Sequence, residues 1–414
     1  MELHNAITQA FSHVFRVSGS LPGVLTAYGA VSSLRASVAA AVATSTVIGW
    51  SYAGHSAVVP LIARDLGLDD VQIGLLATAL FLAASLTMLA AGDIADRYPP
   101  KLVNLWGVAL VIAGTAAMAL APGYELLLGA RFVSGVGAGL GLLGGLRYVA
   151  RRYEEARSHF GQGLYGGGFP LGSAIALWTT PLIAAALDWR AAFWLSAIAM
   201  IAVALLWLSV PAVPRMARPG NMRDAARCPN CWWTFVQHAA GFGLVLAAGT
   251  WITIFLLREF SLPLVASGLL GSLLLVIAVV ARPLGGYLVS RRLLGTIGVM
   301  RLAQLCVVAG LALLMAPERP VAVALAGAIL VGFGGGIPYA AVFNTAAASL
   351  RSAPGAAQGL TALGGLISSM IGAPAMGFAI QTWGFSAAWL FLAGVSVVAL
   401  LGTFLMQGEE QFAG

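Results

Sequence analysis

Long apolar segments recur along the whole chain, and they limit the folds open to it more than any other feature. The run LVNLWGVALVIAGTAAMALA at 102–121, for example, contains no charged residue. A helix of about 20 such residues spans the ~30 Å hydrocarbon core of a bilayer. Only 9% of the 414 residues are charged, whereas soluble domains carry about 25%. Composition therefore excludes a soluble or disordered protein and predicts an integral membrane protein built of helices.

Apolar runs and the breaks between them predict twelve spans, and the longest internal break divides these into two groups of six. We expect a cytoplasmic N-terminal segment at 1–35, six-helix bundles at 36–212 and 232–406, a cytoplasmic linker at 213–231 and a tail at 407–414. The predicted spans lie near 36–60, 70–94, 101–121, 124–150, 160–186, 190–212, 232–257, 263–289, 296–316, 319–348, 355–382 and 384–406.

Residues 1–33 show no signal-peptide pattern. Their apolar residues at helical spacing are Ile7, Phe11, Val14 and Phe15. A short helix on the membrane surface and a frayed tail are both compatible with this pattern.

Basic residues are distributed unevenly between the two sides of the membrane. With a cytoplasmic N-terminus, all but six of the 22 lysines and arginines fall in cytoplasmic segments. The positive-inside rule therefore predicts that both termini are cytoplasmic, in the cell (inner) membrane. The net charge of +7 then reflects topology and attraction to membrane lipids, so no nucleic-acid partner is expected. The exceptions are Arg64, Arg190, Arg258 and Arg319 outside, and Arg131 and Arg282 at membrane depth.

The two groups of spans are internal copies of each other. RDLGLDDVQIG at 64–74 aligns with REFSLPLVASG at 258–268 at an offset of 194. The same offset superimposes Gly92 on Gly286, and offsets of 196 and 197 align further segments downstream. Parallel repeats of this kind place the substrate site between the halves, near mid-membrane.

The charged stretch GDIADRYPPK at 92–101 lies between spans 2 and 3. It resembles the loop signature of the major facilitator superfamily, Gly-x-x-x-Asp-Arg-x-Gly-Arg-Lys/Arg, except that Pro99 and Pro100 replace Gly-Arg. The resemblance covers all twelve spans. It implies an all-α membrane protein with twelve transmembrane helices in two pseudo-symmetric six-helix bundles, which works by alternating access without a cofactor.

The signature residues are expected to make contacts that form in one transporter state and break in the other. Asp96 can accept from a helix N-terminus or pair with a facing arginine, whereas the partner of Asp93 stays open. The alternative is a solvated loop that only fixes topology. The gating candidates are Gly92, Asp93, Asp96, Arg97, Lys101 and, from the degenerate copy GYLVSRR at 286–292, Arg291.

All fifteen acidic residues fall in loops, tails or span ends, so the fixed charges expected at depth are Arg131 and Arg282. An arginine at the centre of a membrane helix costs about 2.5–3.5 kcal/mol, and each should therefore have a partner or a function. A positive field predicts an anionic small-molecule substrate. The alternative for Arg131 is that it only binds neighbouring carbonyls.

ARPLGGYLVSRR at 281–292 resembles span 8 of the nitrate/nitrite porter branch, in which the arginine contacts the anion; the resemblance implies that role for Arg282. Span 5, YGGGFPLGSAIALWTTPLI at 165–183, is similar to the same branch. Met88 stands where the branch has a second arginine, and Phe169 where it has an asparagine. These departures argue against nitrate itself and leave a larger or more apolar anion open. Alternatively, Arg282 only supports the gate between spans 8 and 9.

Aromatic and amide side chains at depth are further candidate substrate ligands, because a tyrosine presents both an apolar face and a polar donor. Histidine titrates near physiological pH and could carry H⁺ as a coupling ion, although a simply hydrogen-bonded histidine is the alternative. The ligand candidates are Tyr52, Tyr165, Tyr339 and Asn344, and the coupling candidates are His55, His238 and Arg131.

The pair Cys228 and Cys231 is half a zinc site or a redox pair. Because no second ligand pair lies nearby, we expect free thiols and no bound metal.

The leading prediction is a monomeric secondary active transporter that moves a small or medium anionic solute by rocker-switch alternating access. A proton-coupled exporter of lipophilic or zwitterionic compounds on the same fold is the alternative, because GGGFPLG is similar to the Gly-Pro motif of antiporters. No catalytic motif lies at depth, so no enzyme is expected. A further alternative is a receptor on the same fold, which would bind a ligand but show no counterflow transport of it.

Overall fold

The computed structural model describes residues 21–153, 155–214 and 221–412. Within these ranges, only the backbone is described for residues 21–33, 70–71, 155–157 and 264–265. The first twenty residues, with the apolar pattern noted above, lie outside this description. Within the described residues every regular element is a helix.

The first half contains six long helices: α1 (Leu21–Leu66), α2 (Asp70–Arg97), α3 (Pro100–Leu120), α4 (Tyr124–Arg152), α5 (Glu155–Ala186) and α6 (Trp189–Leu206). A short helix, α7 (Met222–Arg227), lies in the linker. The second half contains α8 (Pro229–His238), α9 (Leu244–Phe260), α10 (Leu264–Ser290), α11 (Thr296–Met315), α12 (Val321–Gly336), α13 (Tyr339–Ser349), α14 (Pro354–Trp383) and α15 (Phe385–Gly402).

Eleven helical segments of the described chain are long and apolar enough to cross a membrane. In this set α8 and α9 form one span, and α12 and α13 form another. The more polar helix α1 packs against α4, α5 and α6 as the twelfth long helix. The predicted class, an all-helical membrane protein with two six-span halves, is confirmed.

Helical structure extends beyond several predicted limits. Helix α1 begins at Leu21, inside the predicted N-terminal segment 1–35, and α8 begins at Pro229, inside the predicted linker. Two spans are also interrupted. A π-helical turn at Ala239–Gly243 separates α8 from α9, and Pro338 lies in the break between α12 and α13. Proline has no N–H for the helix ladder, which explains the second break.

Local sequence explains where the helices begin. Asp69 accepts from Gln72 N at 2.8 Å while the Gln72 side chain accepts from Asp69 N, a capping box that starts α2. The two prolines that depart from the loop signature start α3, since Pro99 is its N-cap and Pro100 its first residue. The missing proline N–H has no intrahelical partner at that position in any case.

The halves meet where α2 packs against α14 and α5 packs against α10. A Cβ on Gly92 would lie 2.0 Å from Gly355 O, and one on Gly286 would lie 2.3 Å from His159 O. The two glycines that the repeat superimposes therefore occupy matching close contacts between the halves. We call the end of the bundle that carries these contacts and α7 the linker side.

Candidate functional site

A cavity lies between the two halves, with about 550 Å³ of empty space when its opening is included. Of the residues that line it, Arg282 alone carries a fixed charge. The first half contributes Ser45, Tyr52, Met88, Leu142, Leu143, Leu146 and Phe169, and the second half His238, Phe242, Arg282, Tyr339, Phe343, Ala362 and Leu366.

Arg282 lies on α10 and is 5% exposed. Its Nη1 donates to Gly166 O of the first half at 2.5 Å. The guanidinium lies 4.6 Å from the centre of the Tyr339 ring and 5.6 Å from that of Phe242. Its Nε has no hydrogen-bond partner among the described residues. A buried donor without a partner is costly, and an anionic acceptor at Nε would form a charge-assisted hydrogen bond.

The two rings beside Arg282 come from irregular points of the second half. Phe242 lies in the π-helical turn, and Tyr339 is the first residue of α13 after the break. Interrupted helices at mid-membrane and π-turns frequently mark functional sites. The arginine is therefore held by aromatic side chains whose direction depends on these interruptions.

Three of the predicted site residues besides Arg282 line the cavity: Tyr52, Tyr339 and His238. Tyr165 does not, because it is completely buried and its hydroxyl donates to Leu142 O at 2.8 Å. Asn344 lies in a contact between the halves instead. Its Oδ1 accepts from Gln162 Nε2 at 2.5 Å. Substrate binding by Tyr165 and Asn344 stays a prediction that these positions do not favour.

Arg131 lies outside the cavity lining and is 1% exposed. Its Nε donates to Leu76 O at 3.3 Å and its Nη1 to Ser51 O at 3.0 Å, so carbonyls of α2 and α1 satisfy it. This placement favours the alternative of a carbonyl-bound arginine. His55, one turn after Ser51, is buried, and neither ring nitrogen has a hydrogen-bond partner among the described residues. Coupling roles for Arg131 and His55 stay predictions.

Asp96 joins the halves at the linker side. The carboxylate is fully buried, with Oδ2 accepting from Gly355 N at 2.7 Å and Oδ1 from Arg147 Nη2 at 3.0 Å. Gly355 is the second residue of α14, so Asp96 lies at the positive end of that helix dipole. Arg147 was missing from the predicted gating set, because nothing in the sequence pairs it with Asp96.

The other charged gating candidates bind within their own halves. Asp93 pairs with Arg97 at 3.0 Å, so its partner lies one turn further along the same helix. Lys101 Nζ donates to Val210 O at 2.6 Å. Arg291 lies 5.5 Å from the centre of the Tyr287 ring. Among the charged candidates, Asp96 is thus the one with a described hydrogen bond to the other half.

The C-terminal tail adds a second acidic contact between the halves. Glu409 Oε2 lies 2.6 Å from His159 Nε2 of α5. The neighbouring Glu410 stays within the second half, where it accepts from Thr296 N at 2.6 Å and from Thr296 Oγ1 at 2.8 Å at the start of α11. Sequence reasoning assigned no function to this tail.

The family model of the Major Facilitator Superfamily matches residues 39–368. The chain belongs to the major facilitator superfamily. It is accordingly a multi-pass membrane transporter of a small molecule and not an enzyme.

Proteins with similar sequences support the predicted resemblance to nitrate/nitrite porters. The probable nitrate/nitrite antiporter NarK1 of Thermus thermophilus is 26% identical over 364 residues, which cover 78% of this chain and 80% of that protein. The probable sulfoacetate transporter SauU of Cupriavidus necator is 30% identical over 281 residues, 60% of this chain and 63% of that protein.

Solved structures show the same superfamily fold. The human organic anion transporter MFSD10 superimposes with a TM-score of 0.73 at 14% identity, covering 89% of this chain and 99% of that one. The fucose:proton symporter FucP of Escherichia coli superimposes with a TM-score of 0.71 at 18% identity, covering 89% of this chain and 98% of that one.

Proposed function

We propose that the protein is a secondary active transporter that moves a small or medium anionic solute through the cavity by rocker-switch alternating access. The observation that carries the proposal is Arg282, a buried guanidinium whose Nε has no partner among the described residues. It is also the one described residue of the cavity lining that carries a fixed charge. A buried cation of this kind is stabilised by an anion. The names of the nitrate/nitrite and sulfoacetate relatives support the same substrate class.

The linker side is cytoplasmic in this proposal, as the positive-inside rule predicts. The described hydrogen bonds that join the halves lie at the linker side, apart from the Arg282–Gly166 bond at the cavity. The protein is therefore closed towards the cytoplasm. Rocking of the bundles would break the contacts at Asp96 and Asn344 and open the cavity inward.

Arg282 connects substrate binding to this motion. Its guanidinium holds Gly166 O of the first half with one nitrogen and offers another to the anion. Substrate occupancy therefore acts on a residue that also bonds across the moving interface. A ligand can shift an equilibrium between two states only through such a difference in contacts. If transport is coupled to H⁺, His238 at the cavity wall is the candidate carrier.

A lipophilic-compound exporter remains the second candidate, because most cavity-lining side chains are apolar or aromatic. No acid is found among the described residues that line the cavity, and this counts against cationic and zwitterionic substrates. An uncharged substrate would leave the charge of Arg282 without a function in binding.

Uptake into proteoliposomes tests the proposal with a panel of labelled anions and neutral compounds. Arg282→Gln keeps a donor for Gly166 O and removes the charge; we expect at least a tenfold loss of anion uptake. Arg282→Lys keeps the charge and should retain part of the anion uptake. Arg258→Gln, at an exposed position, is the control and should transport normally. Normal anion uptake by Arg282→Gln, or competition by neutral compounds alone, would contradict the proposal.

A further inference from the structure

We infer that the transported solute is an organic monoanion with an apolar, preferably aromatic, body, whose charged head binds Arg282 and whose body packs against the first half. This inference rests on the proposed function and specifies the substrate class of the same site.

The internal repeat shows that only the second half places a charged side chain at this position of the cavity. Gly163 and Gly359 are equivalent at the offset of 196. A Cβ on Gly359 would lie 2.6 Å from Met88 O, and one on Gly163 would lie 2.5 Å from Arg282 O. Met88 and Arg282 therefore occupy matching positions on α2 and α10, and both line the cavity. The first half offers a thioether where the second offers a guanidinium.

Aromatic side chains form a continuous wall from the first half towards Arg282. The Tyr52 ring meets that of Phe169 at 5.1 Å, edge to face, and the Phe169 ring meets that of Phe242 at 5.7 Å. Phe242 in turn lies beside the guanidinium. A flat apolar group that packs on this wall would leave water and would strengthen binding in proportion to its area.

Charge balance at the cavity sets the number of charges on the substrate. One guanidinium neutralises one anionic group, so the second charge of a dianion would lie unpaired among apolar side chains, which is strongly unfavourable. A small inorganic anion would lose its hydration shell without an apolar body to compensate. The ammonium group of an amino acid would find no carboxylate in the lining.

Binding to the unmodified, purified full-length protein provides the first test. Titration calorimetry would compare acetate, butyrate, hexanoate, benzoate, the neutral isostere benzamide, the dianion terephthalate, nitrate and sulfate. We expect about fourfold tighter binding for each added methylene that becomes buried. Benzoate should bind at least tenfold more tightly than benzamide, terephthalate, nitrate or sulfate. Equal or tighter binding of nitrate, sulfate or terephthalate would overturn the inference, as would equal binding of benzamide.

A second test changes the position equivalent to Arg282. Met88→Arg would supply the missing cation and should raise the affinity for terephthalate and sulfate relative to benzoate by at least tenfold. Met88→Gln, polar but uncharged, should keep the preference for monoanions. An unchanged terephthalate-to-benzoate ratio in folded Met88→Arg would overturn the placement of the substrate body beside Met88.

The outcomes separate this inference from the proposed function. Arg282-dependent transport of nitrate or sulfate in preference to organic monoanions would refute the inference and leave the anion transporter in place. Transport confined to neutral compounds, with Arg282→Gln fully active, would refute both.

Discussion

Met88 and Arg282 lie at equivalent positions in the two halves, each with its carbonyl facing the equivalent glycine of the other half. The backbone frame around the cavity is thus nearly symmetric, whereas the chemistry at its centre is one-sided. A transporter needs matching helix contacts so that both halves can rock, but its substrate needs complementary groups at one place only. This difference explains why the repeat is conserved in backbone contacts while the side chains diverge.

The close contact at Gly92 predicts a defect in closure. A Cβ there would lie 2.0 Å from Gly355 O, so Gly92→Ala should keep the linker side from closing. The reporter is Leu366→Cys in a background without native cysteines, labelled from the linker side by an impermeant maleimide. We expect several-fold faster labelling and loss of transport. A Cβ on Gly74 of the same helix would meet no described atom of another segment within 4 Å, so Gly74→Ala should behave like the parent.

The buried pair of Asp96 and Arg147 should contribute to stability. Asp96→Asn removes the carboxylate that both Arg147 and Gly355 N bind, and breaking a buried pair costs about 3–5 kcal/mol. Asp93→Asn breaks a pair that is partly exposed and should cost only about 0.2–1 kcal/mol. Thermal unfolding of both variants checks this order; equal melting temperatures would show that Asp96 contributes no more than a surface charge.

Glu409 and Glu410 in the C-terminal tail should affect different properties, the first closure of the linker side and the second stability. Glu409→Gln weakens the contact with His159 between the halves, so the Leu366→Cys reporter should label about two- to fivefold faster from the linker side, the equivalent of up to ~1 kcal/mol. Glu410→Gln weakens a contact at the start of α11 and should lower the melting temperature without faster labelling. Faster labelling in Glu410→Gln alone would contradict this assignment.

Cys228 should react as a thiolate near neutral pH. A hydrogen bond from the Cys231 thiol, aided by backbone N–H groups of Cys231 and Asn230 at the start of α8, lowers the pKa of Cys228 to about 6. Because the pKa is lowered, the reactive anion dominates above pH 6. Alkylation followed by mass spectrometry should therefore rise through pH 6 and level off by pH 7. Cys231→Ala should move the midpoint upward; a midpoint above pH 8 in the parent would refute the prediction.

Features that depend on local sequence were predictable. Apolar length and the position of arginines indicated the membrane fold, and the constant offset equated Gly92 with Gly286, which the structure places at matching contacts. Arg282 was singled out because a charge in an apolar span is conspicuous. These inferences need only properties that adjacent residues or a repeat can show.

Features that depend on packing were not predictable. The two partners of Asp96 are distant in the chain, since Arg147 lies 51 residues away and Gly355 lies 259 residues away. Arg131 lies within α4, whose many glycines carry no side chains to define a buried face, so its direction towards α1 and α2 could not be read from periodicity. Phe242 lies in a π-helical turn that contains no proline, so no local signal in the sequence indicated its position. Pro338, by contrast, was an available signal for the break before Tyr339.

A structure of the protein with a bound aromatic carboxylate would test the central claim most directly. We expect the carboxylate within hydrogen-bond distance of Arg282 Nε and the ring against Phe169 and Met88. A carboxylate bound at Arg131, or a ring directed away from the first half with its charge unpaired by Arg282, would contradict it.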